Sequence, residues 1–430
     1  MDIHDQLSAL RKRVARIDAK YATDPGQAAR RAFPSVHQTA VARAPVEVPQ
    51  TFVEEYLSGE VVENELGCHF QSVKRYERHR RYGSFDIADL AELPHDLLEA
   101  ITEGESGSAC PTRWAFLDTE TTGLAGGSGT YAFLIGVGSI GPEGFSVRQF
   151  FMRNYDEEPS MMLALTEHLQ QFDILVTYNG KSYDQPLLET RYRMSRLRPP
   201  FASLRHVDLL YASRRLWKLR FESCRLVELE NKILGIEREG DLPGELIPYV
   251  YFEYVRTQEA FRVVPILHHN VCDIVALACL TAIVPFAFKN PEEYRFGHGA
   301  EMVGLARWMR QAGQEEQAAA LFRNALKRGL REDLQVRAMW DLALLEKKSG
   351  NLDSAIAVLK ELVEIPDHPH RNGAYEELAK HFEHREKDYA LALQMTHSAL
   401  ASCGETPELL KRAERLARKK ANGGSRRRLL

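Results

Sequence analysis

The segment WAFLDTETTGL carries an unbroken apolar run, Trp114 to Leu117, straight into two carboxylates, Asp118 and Glu120. The apolar run predicts a strand, and strand alternation puts Asp118 and Glu120 on one face of it. Two like charges on one side of a strand end make a poor core and a good cation site. Thr121, Thr122 and Gly123 then break the strand, and the glycine-rich AGGSG that follows lets backbone approach a ligand closely.

Two more acidic positions stand in comparable settings. In ILVTYNGKSYDQPLL a short apolar strand over Ile174 to Tyr178 runs into Asn179-Gly180, and Asp184 follows with Pro186 just inside the next helix. A helix-capping role accounts for Asp184 by itself, and it is common. It does not account for Asn179, Gly180 and Tyr183 at their offsets. In ILHHNVCDIVALACL, His269 and Asp273 lie four apart and share a helical face. Asp273 opens a long apolar helix, where a carboxylate is tolerated when it is paired or holds a metal. Carboxylate oxygens suit hard cations such as Mg2+ or Mn2+. Two such ions, held by Asp118, Glu120, Asp184 and Asp273, are the cofactors expected for phosphodiester hydrolysis. A neutral histidine nearby can take a proton from the attacking water.

The surroundings predict an α/β domain. Strands are expected at Arg113 to Leu117, Tyr131 to Ile140, Phe145 to Met152, Ile174 to Tyr178 and around Val207 to Leu209. Helices are expected over Met161 to Phe172, Asp184 to Met194, Arg225 to Leu234 and Val264 to Ile283. Strands in succession, then strands alternating with helices, imply a mixed sheet with flanking helices. After residue 300 the pattern is helices only. Leu305-Ala306, Leu342-Ala343 and Leu378-Ala379 recur at spacings of 37 and 36. Ala318 and Ala355, and then Ala325, Leu362 and Ala399, repeat in register. This is similar to tetratricopeptide-type helical hairpins, whose usual period is about 34. An ordinary helical bundle is the plainer alternative.

These boundaries divide the chain into an N-terminal helix and linker (1–50), a small α+β extension (51–110), the α/β domain (111–290), an all-α repeat domain (300–410) and a basic tail (411–430). The first helix carries Ile3, Leu7, Leu10, Val14, Ile17 and Tyr21 as one apolar seam. The tail KRAERLARKKANGGSRRRLL has the charge to touch phosphates, although a terminal charge run is more often simply solvated.

Composition narrows the class. The net charge of −4 shows no global basic surface, so any basic patch for nucleic acid is local. Cys68, Cys110, Cys224, Cys272, Cys279 and Cys403 make no C-x-x-C pair and no secreted framework, which fits free thiols in the cytoplasm. MDIHDQLSALRKRV has no apolar core, so no secretory leader is expected. The apolar run Ile274 to Phe288 contains Pro285 and is short for a bilayer, so it is expected to be a buried helix. No P-loop is present, which argues against a nucleotide hydrolase of that type.

The three carboxylate segments resemble the three motifs of the DEDD exonuclease superfamily, whose members have a ribonuclease H-like fold. DTE matches the first, with Asp118 and Glu120. NGKSYD resembles the second, N-x-x-x-[FY]-D, and yields Asp184. HNVCD resembles the third, [YH]-x-x-x-D, and yields Asp273. The wider layout, with HVDLL and LENKILGIEREGDLPGELIPYVYFEYV between the second and third motifs, is similar to the YprB-type ribonuclease H-like domain family over about residues 50–290. That family often carries C-terminal tetratricopeptide repeats. In the superfamily a histidine stands five residues before the last Asp, or a tyrosine four before. Here His268 holds the first position and His269 the second. The helical face shared with Asp273 favours His269. Thr121, Asn179, Lys181 and Tyr183 are expected to contact the strand being cut, with local backbone satisfaction an equal account of Asn179.

The resemblance implies a 3′–5′ exonuclease acting on DNA or RNA. A structure-selective endonuclease on the same fold is the alternative enzyme, since fold does not decide between them. The alternative outside catalysis is a nucleic-acid-binding scaffold whose repeats recruit a protein partner. A membrane partner is not expected.

Overall fold

The structure, a computed structural model, describes residues 53–102, 104–123, 129–404 and 406–427. The helix expected over 1–21, the linker to residue 50 and most of the AGGSG loop lie outside them. The chain divides into two compact units. One runs to Ala212 and resumes over Ser223–Lys289; the other comprises Ser213–Glu222 and the chain from Asn290 onward.

Among its described residues the first unit is built on nine strands: β1 (Gly59–Asn64), β2 (Gly67–Glu77), the small hairpin β3 (Arg81–Tyr82) and β4 (Phe85–Asp86), β5 (Trp114–Thr121), β6 (Ala132–Gly141), β7 (Gly144–Phe151), β8 (Ile174–Thr177) and β9 (Arg205–Asp208). Seven of them form one mixed sheet in the order β1-β2-β7-β6-β5-β8-β9. β1, β2, β7, β6 and β5 pair antiparallel; β5, β8 and β9 pair parallel. The mixed sheet with flanking helices expected from the sequence is therefore present, and residues 59–77 lengthen it through β2–β7 pairing. The all-buried β8 and the apolar first half of β5 lie inside the sheet, where both faces are covered.

The longer helices up to Lys289 are α1 (Glu158–Leu169), α2 (Asp184–Met194), α3 (Leu209–Trp217), α4 (Ile247–Thr257) and α5 (Val264–Lys289). α5 packs across β5, β6 and β7. It is long and apolar enough to cross a membrane by composition, but most of that stretch is buried in the unit, as a core helix would be. The close approach depends on glycine in β6. A Cβ at Gly136 would fall 2.2 Å from Asn270 Oδ1 and 2.3 Å from Ile274 Cδ1, and one at Gly138 would fall 2.5 Å from Ile274 Cγ2. The helix expected over Arg225 to Leu234 is one α-turn, Leu226–Leu229, that widens into a π-turn over Glu230–Leu234.

The second unit is helical. Three hairpins follow one another: α6 (Gly299–Gln311) with α7 (Glu315–Arg328), α8 (Glu332–Lys348) with α9 (Leu352–Glu364), and α10 (Arg371–His381) with α11 (Tyr389–Cys403); α12 (Pro407–Arg427) packs on α11. The recurring pairs Leu305-Ala306, Leu342-Ala343 and Leu378-Ala379 occupy the first helix of each hairpin and are all buried. Gly313 and Gly350 turn the first two hairpins at φ of +79° and +85°. The third turn has no glycine. Lys387 takes the left-handed conformation there, and the side chain of Asp388 caps α11 by accepting from the Ala390 and Leu391 amides.

Candidate active site

β5 delivers Asp118 and Glu120 at its C-terminal end. The strand register runs Asp118 opposite Gly136 and Glu120 opposite Leu134, with a bulge only after Glu120, so alternation holds through both acids. Because Gly136 has no side chain, Asn270 of α5 reaches past it. Asn270 Nδ2 donates to Asp118 Oδ2 at 2.9 Å, and Asn270 Oδ1 accepts from Gln149 Nε2 at 2.9 Å. The Gln149 bond fixes which end of the Asn270 amide is the donor. Ser72 in turn donates to Gln149 Oε1 at 3.1 Å, so a buried polar chain runs from β2 to Asp118.

The turn after β8 delivers Asp184. Asn179 adopts a φ of +70°, a conformation that asparagine tolerates better than most residues. A Cβ at Gly180 would fall 2.5 Å from the Thr177 side chain. Asp208, at the end of β9, clamps this turn by accepting from the amides of Asn179 (2.8 Å), Lys181 (3.1 Å) and Leu210 (3.1 Å). Asp208 therefore serves as a turn and cap residue. Asp184 is the first residue of α2, and no side-chain cap bond forms at that helix start. Instead its Oδ1 accepts from Thr119 Oγ1 at 2.5 Å. The Thr119 bond ties Asp184 to β5 in addition to its place at the helix start.

α5 delivers the fourth acid. Asp273 lies one turn beyond His269, whose Nε2 stands 3.6 Å from Asp273 Oδ2. His269 is buried, whereas His268 is exposed, approaches Cys272 Sγ at 3.6 Å and lines a cleft of about 480 Å³ with Lys74, Tyr76 and Arg80. His269 is thus the histidine whose ring stands beside Asp273.

The acids influence one another strongly. Burial and then the charges of Asp273 and Asp184 push Asp118 well above the usual carboxylate range. Burial and then Asp118, Asp273, Asp184 and Asp241 do the same to Glu120. Burial carries Asp184 up to about 6, against the Thr119 bond. So the four acids predicted from three separate segments do converge. In this conformation, however, no three of the described His, Cys, Asp or Glu side chains form a ready-made metal-holding group. Asn270, Thr119 and Arg238 each bond directly to one oxygen of Asp118, Asp184 and Asp273 respectively.

Arg238 and Asp241 complete the site, and both come from the stretch IEREGDLPG. Arg238 stands in a charged stretch that would suit a solvated face. Its side chain is instead only 6% exposed. It reaches Asp273 Oδ1 at 2.5 Å, Glu230 Oε2 at 2.6 Å and Asp241 Oδ2 at 3.3 Å. The fully buried Glu230 also accepts from the Tyr82 hydroxyl. Asp241 meets His269 Nδ1 with both carboxylate oxygens at 2.9 Å. Burial alone would lower the His269 pKa, but the Asp241 bond and the charges of Asp273 and Asp241 outweigh it, and the net change is a rise. For Asp241, burial works upward and the His269 bond, with Arg238, carries the net downward.

The donor set therefore fits divalent cations in chemistry and in charge. Asp118, Glu120, Asp184, Asp241 and Asp273 face one described guanidinium, Arg238, which Glu230 also claims. Carboxylates that repel one another in a partly buried site call for more positive charge than that. Among the remaining predicted residues, Thr121 Oγ1 donates to Gly123 O at 3.0 Å and closes the turn that ends β5. Asn179 shapes the turn before α2. Lys181 is exposed, and Tyr183 is 64% exposed.

A mixed sheet of this order, with acids gathered at the end of its central antiparallel-to-parallel strand, is a ribonuclease H-like domain, and a family model described as the RNase H superfamily matches residues 115–284. The chain is also similar to "Uncharacterized protein YprB" of Bacillus subtilis strain 168, with 33% identity over 312 residues, covering 71% of this chain and 74% of the relative. It belongs to the YprB family.

Proposed function

We propose that this protein is a cytoplasmic, metal-dependent nuclease that hydrolyses phosphodiester bonds in DNA or RNA as a 3′–5′ exonuclease. The observation that carries this reading is the convergence of Asp118, Glu120, Asp184 and Asp273 from three chain segments, with Asp118, Asp184 and Asp273 each held at one oxygen by a partner of its own. These four residues hold the two ions, Mg2+ or Mn2+, which supply Lewis acidity toward the scissile phosphate. Asn270 keeps Asp118 oriented, and Thr119 does the same for Asp184. His269 Nε2 takes the proton of the attacking water while the new O–P bond forms. The bond from phosphorus to the 3′ oxygen breaks, and that oxygen takes a proton from solvent. The exposed Lys181 and Tyr183, with Asn179 in the same turn and Thr121 at the end of β5, contact the strand: the ammonium through phosphate and the phenol ring through a base face. The helical hairpins, as tetratricopeptide-like repeats, take a protein partner.

The test uses end-labelled single-stranded and duplex DNA and RNA with Mg2+ or Mn2+, comparing wild type with Asp118→Asn. A ladder shortening from the 3′ end, absent in the variant, is the expected result. Internal fragments would make the enzyme an endonuclease. A wild type that cuts nothing and binds no metal by calorimetry would leave the scaffold reading.

A further inference from the structure

We propose that Asp241 is a positioning residue for His269, holding its Nδ1–H so that Nε2 is left bare toward the carboxylate cluster. The inference rests on the nuclease reading for its kinetic consequence, and on geometry alone for the orientation itself.

His269 has two ring nitrogens with different surroundings. Nδ1 stands 2.9 Å from each oxygen of Asp241, and Nε2 stands 3.6 Å from Asp273 Oδ2. An ionised carboxylate accepts and cannot donate. It therefore selects the ring form that carries its proton on Nδ1. A neutral imidazole so held has its basic lone pair on Nε2, the nitrogen on the Asp273 side. A base fixed in rotamer and tautomer by a third group is the recurring arrangement of proton-transfer sites.

Asp241 is itself immobilised. Oδ1 accepts from the Leu242 amide at 3.0 Å, and Oδ2 faces Arg238 Nη1 at 3.3 Å. Leu242 is buried and Pro243 follows it, so the chain is anchored immediately after the acid. Arg238 bridges Asp241 to Asp273, which ties the orienting acid to the cluster the histidine faces. Nothing in HHNVCD announces this partner, because Asp241 lies 28 residues away in sequence.

The test labels histidine with 15N in the full chain and reads the His269 signal, assigned by its loss in His269→Gln, with the ring in its neutral form. The wild type should show a protonated Nδ1 and a bare Nε2. In Asp241→Asn the amide group can donate to Nδ1, so the proton should move to Nε2. Cleavage by that variant should then lose at least about 100-fold in kcat with KM nearly unchanged. Asp241→Glu, which keeps an acceptor, should keep the wild-type ring form and recover part of the rate. An unchanged His269 form in Asp241→Asn would overturn the proposal, as would an unchanged kcat. If the wild type cuts no substrate, the nuclease reading fails, while the pair of spectra still decides whether Asp241 orients His269.

Discussion

A carboxylate that is harder to ionise in the folded state than in the unfolded one opposes folding once it carries charge. Asp184, carried by burial to about 6 from an ordinary 3.8, is such a group. Its contribution is fully present below the unfolded value and is lost as pH rises through the folded one. The metal-free protein should therefore lose melting temperature relative to Asp184→Asn as pH climbs from about 4 to about 7. Saturating Mg2+ or Mn2+ at pH 8 should raise wild type more than the variant, since the ion binds only the folded state. Paired thermal melts across that range check both statements, and a flat difference would show that Asp184 is not charge-strained. His269→Ala belongs to the same scale: cleavage should largely vanish while calorimetric metal binding survives.

Elements decide how close the residues come. Gly136 sits opposite Asp118 in the β5–β6 ladder and leaves the space into which Asn270 of α5 extends. Gly136→Ala puts a methyl group into Asn270 and Ile274, so it should cost about 1–3 kcal/mol by overpacking and depress cleavage through the displaced Asn270–Asp118 bond. Urea unfolding and the nuclease assay read the two effects, and normal activity in a destabilised variant would separate Asn270 from the chemistry. Much of this site was legible beforehand for one reason: acids interrupting apolar strands and helices break the hydrophobic pattern. Asp118, Glu120 and Asp273 do so; Asp184 stands at a helix start, where an acid is ordinary, and was marked instead by Asn179, Gly180 and Tyr183 at their offsets. Asp241 and Arg238 do not, because they lie in a polar stretch where charge is ordinary and only tertiary packing brings them to His269 and Asp273. The choice between His268 and His269 rested on helical periodicity, and α5 separates the two rings in the way that periodicity requires. The small residues of the hairpins were legible because they recur; the π-turns were not, because no local signal marks an inserted residue.

A π-turn also organises the end of the second unit. Glu383, in the turn Phe382–Glu386, has no exposed side-chain surface and gathers Arg415 at 2.8 Å and Lys419 at 2.9 Å from α12. These cations belong to the run that looked free to touch phosphate. Burial would raise the Glu383 pKa, but the Arg415 and Lys419 bonds dominate and bring it down to about 2. A lowered carboxylate supplies stability above its ordinary value of 4.5 and loses it as pH falls toward the folded one. Glu383→Gln should thus cost about 2 kcal/mol at neutral pH and progressively less on acidification below about 4.5. Chemical unfolding followed at pH 7 and pH 3 checks the sign.

At the scale of the whole molecule, the second unit does not begin where the first ends. Ser213–Glu222 belongs to it, ahead of the last stretch of the first unit. Its Arg220 pairs with the buried Glu301, and Gly304 of α6 packs on the Arg215 and Leu216 carbonyls at distances a Cβ would not allow. Cutting the chain after Lys289 removes those partners, so the shortened protein should bind a hydrophobic dye and aggregate on concentration where the full chain does not. A soluble, dye-silent fragment would show that the segment stands without them. The same threading sets an order of events on the ribosome. Leu216 and Trp217, both fully buried in the finished protein, leave the exit tunnel before any residue of α6 has been made. For that interval they are apolar surface without a cover, and a nascent chain of this design needs either a holding chaperone or rapid translation through the first hairpin.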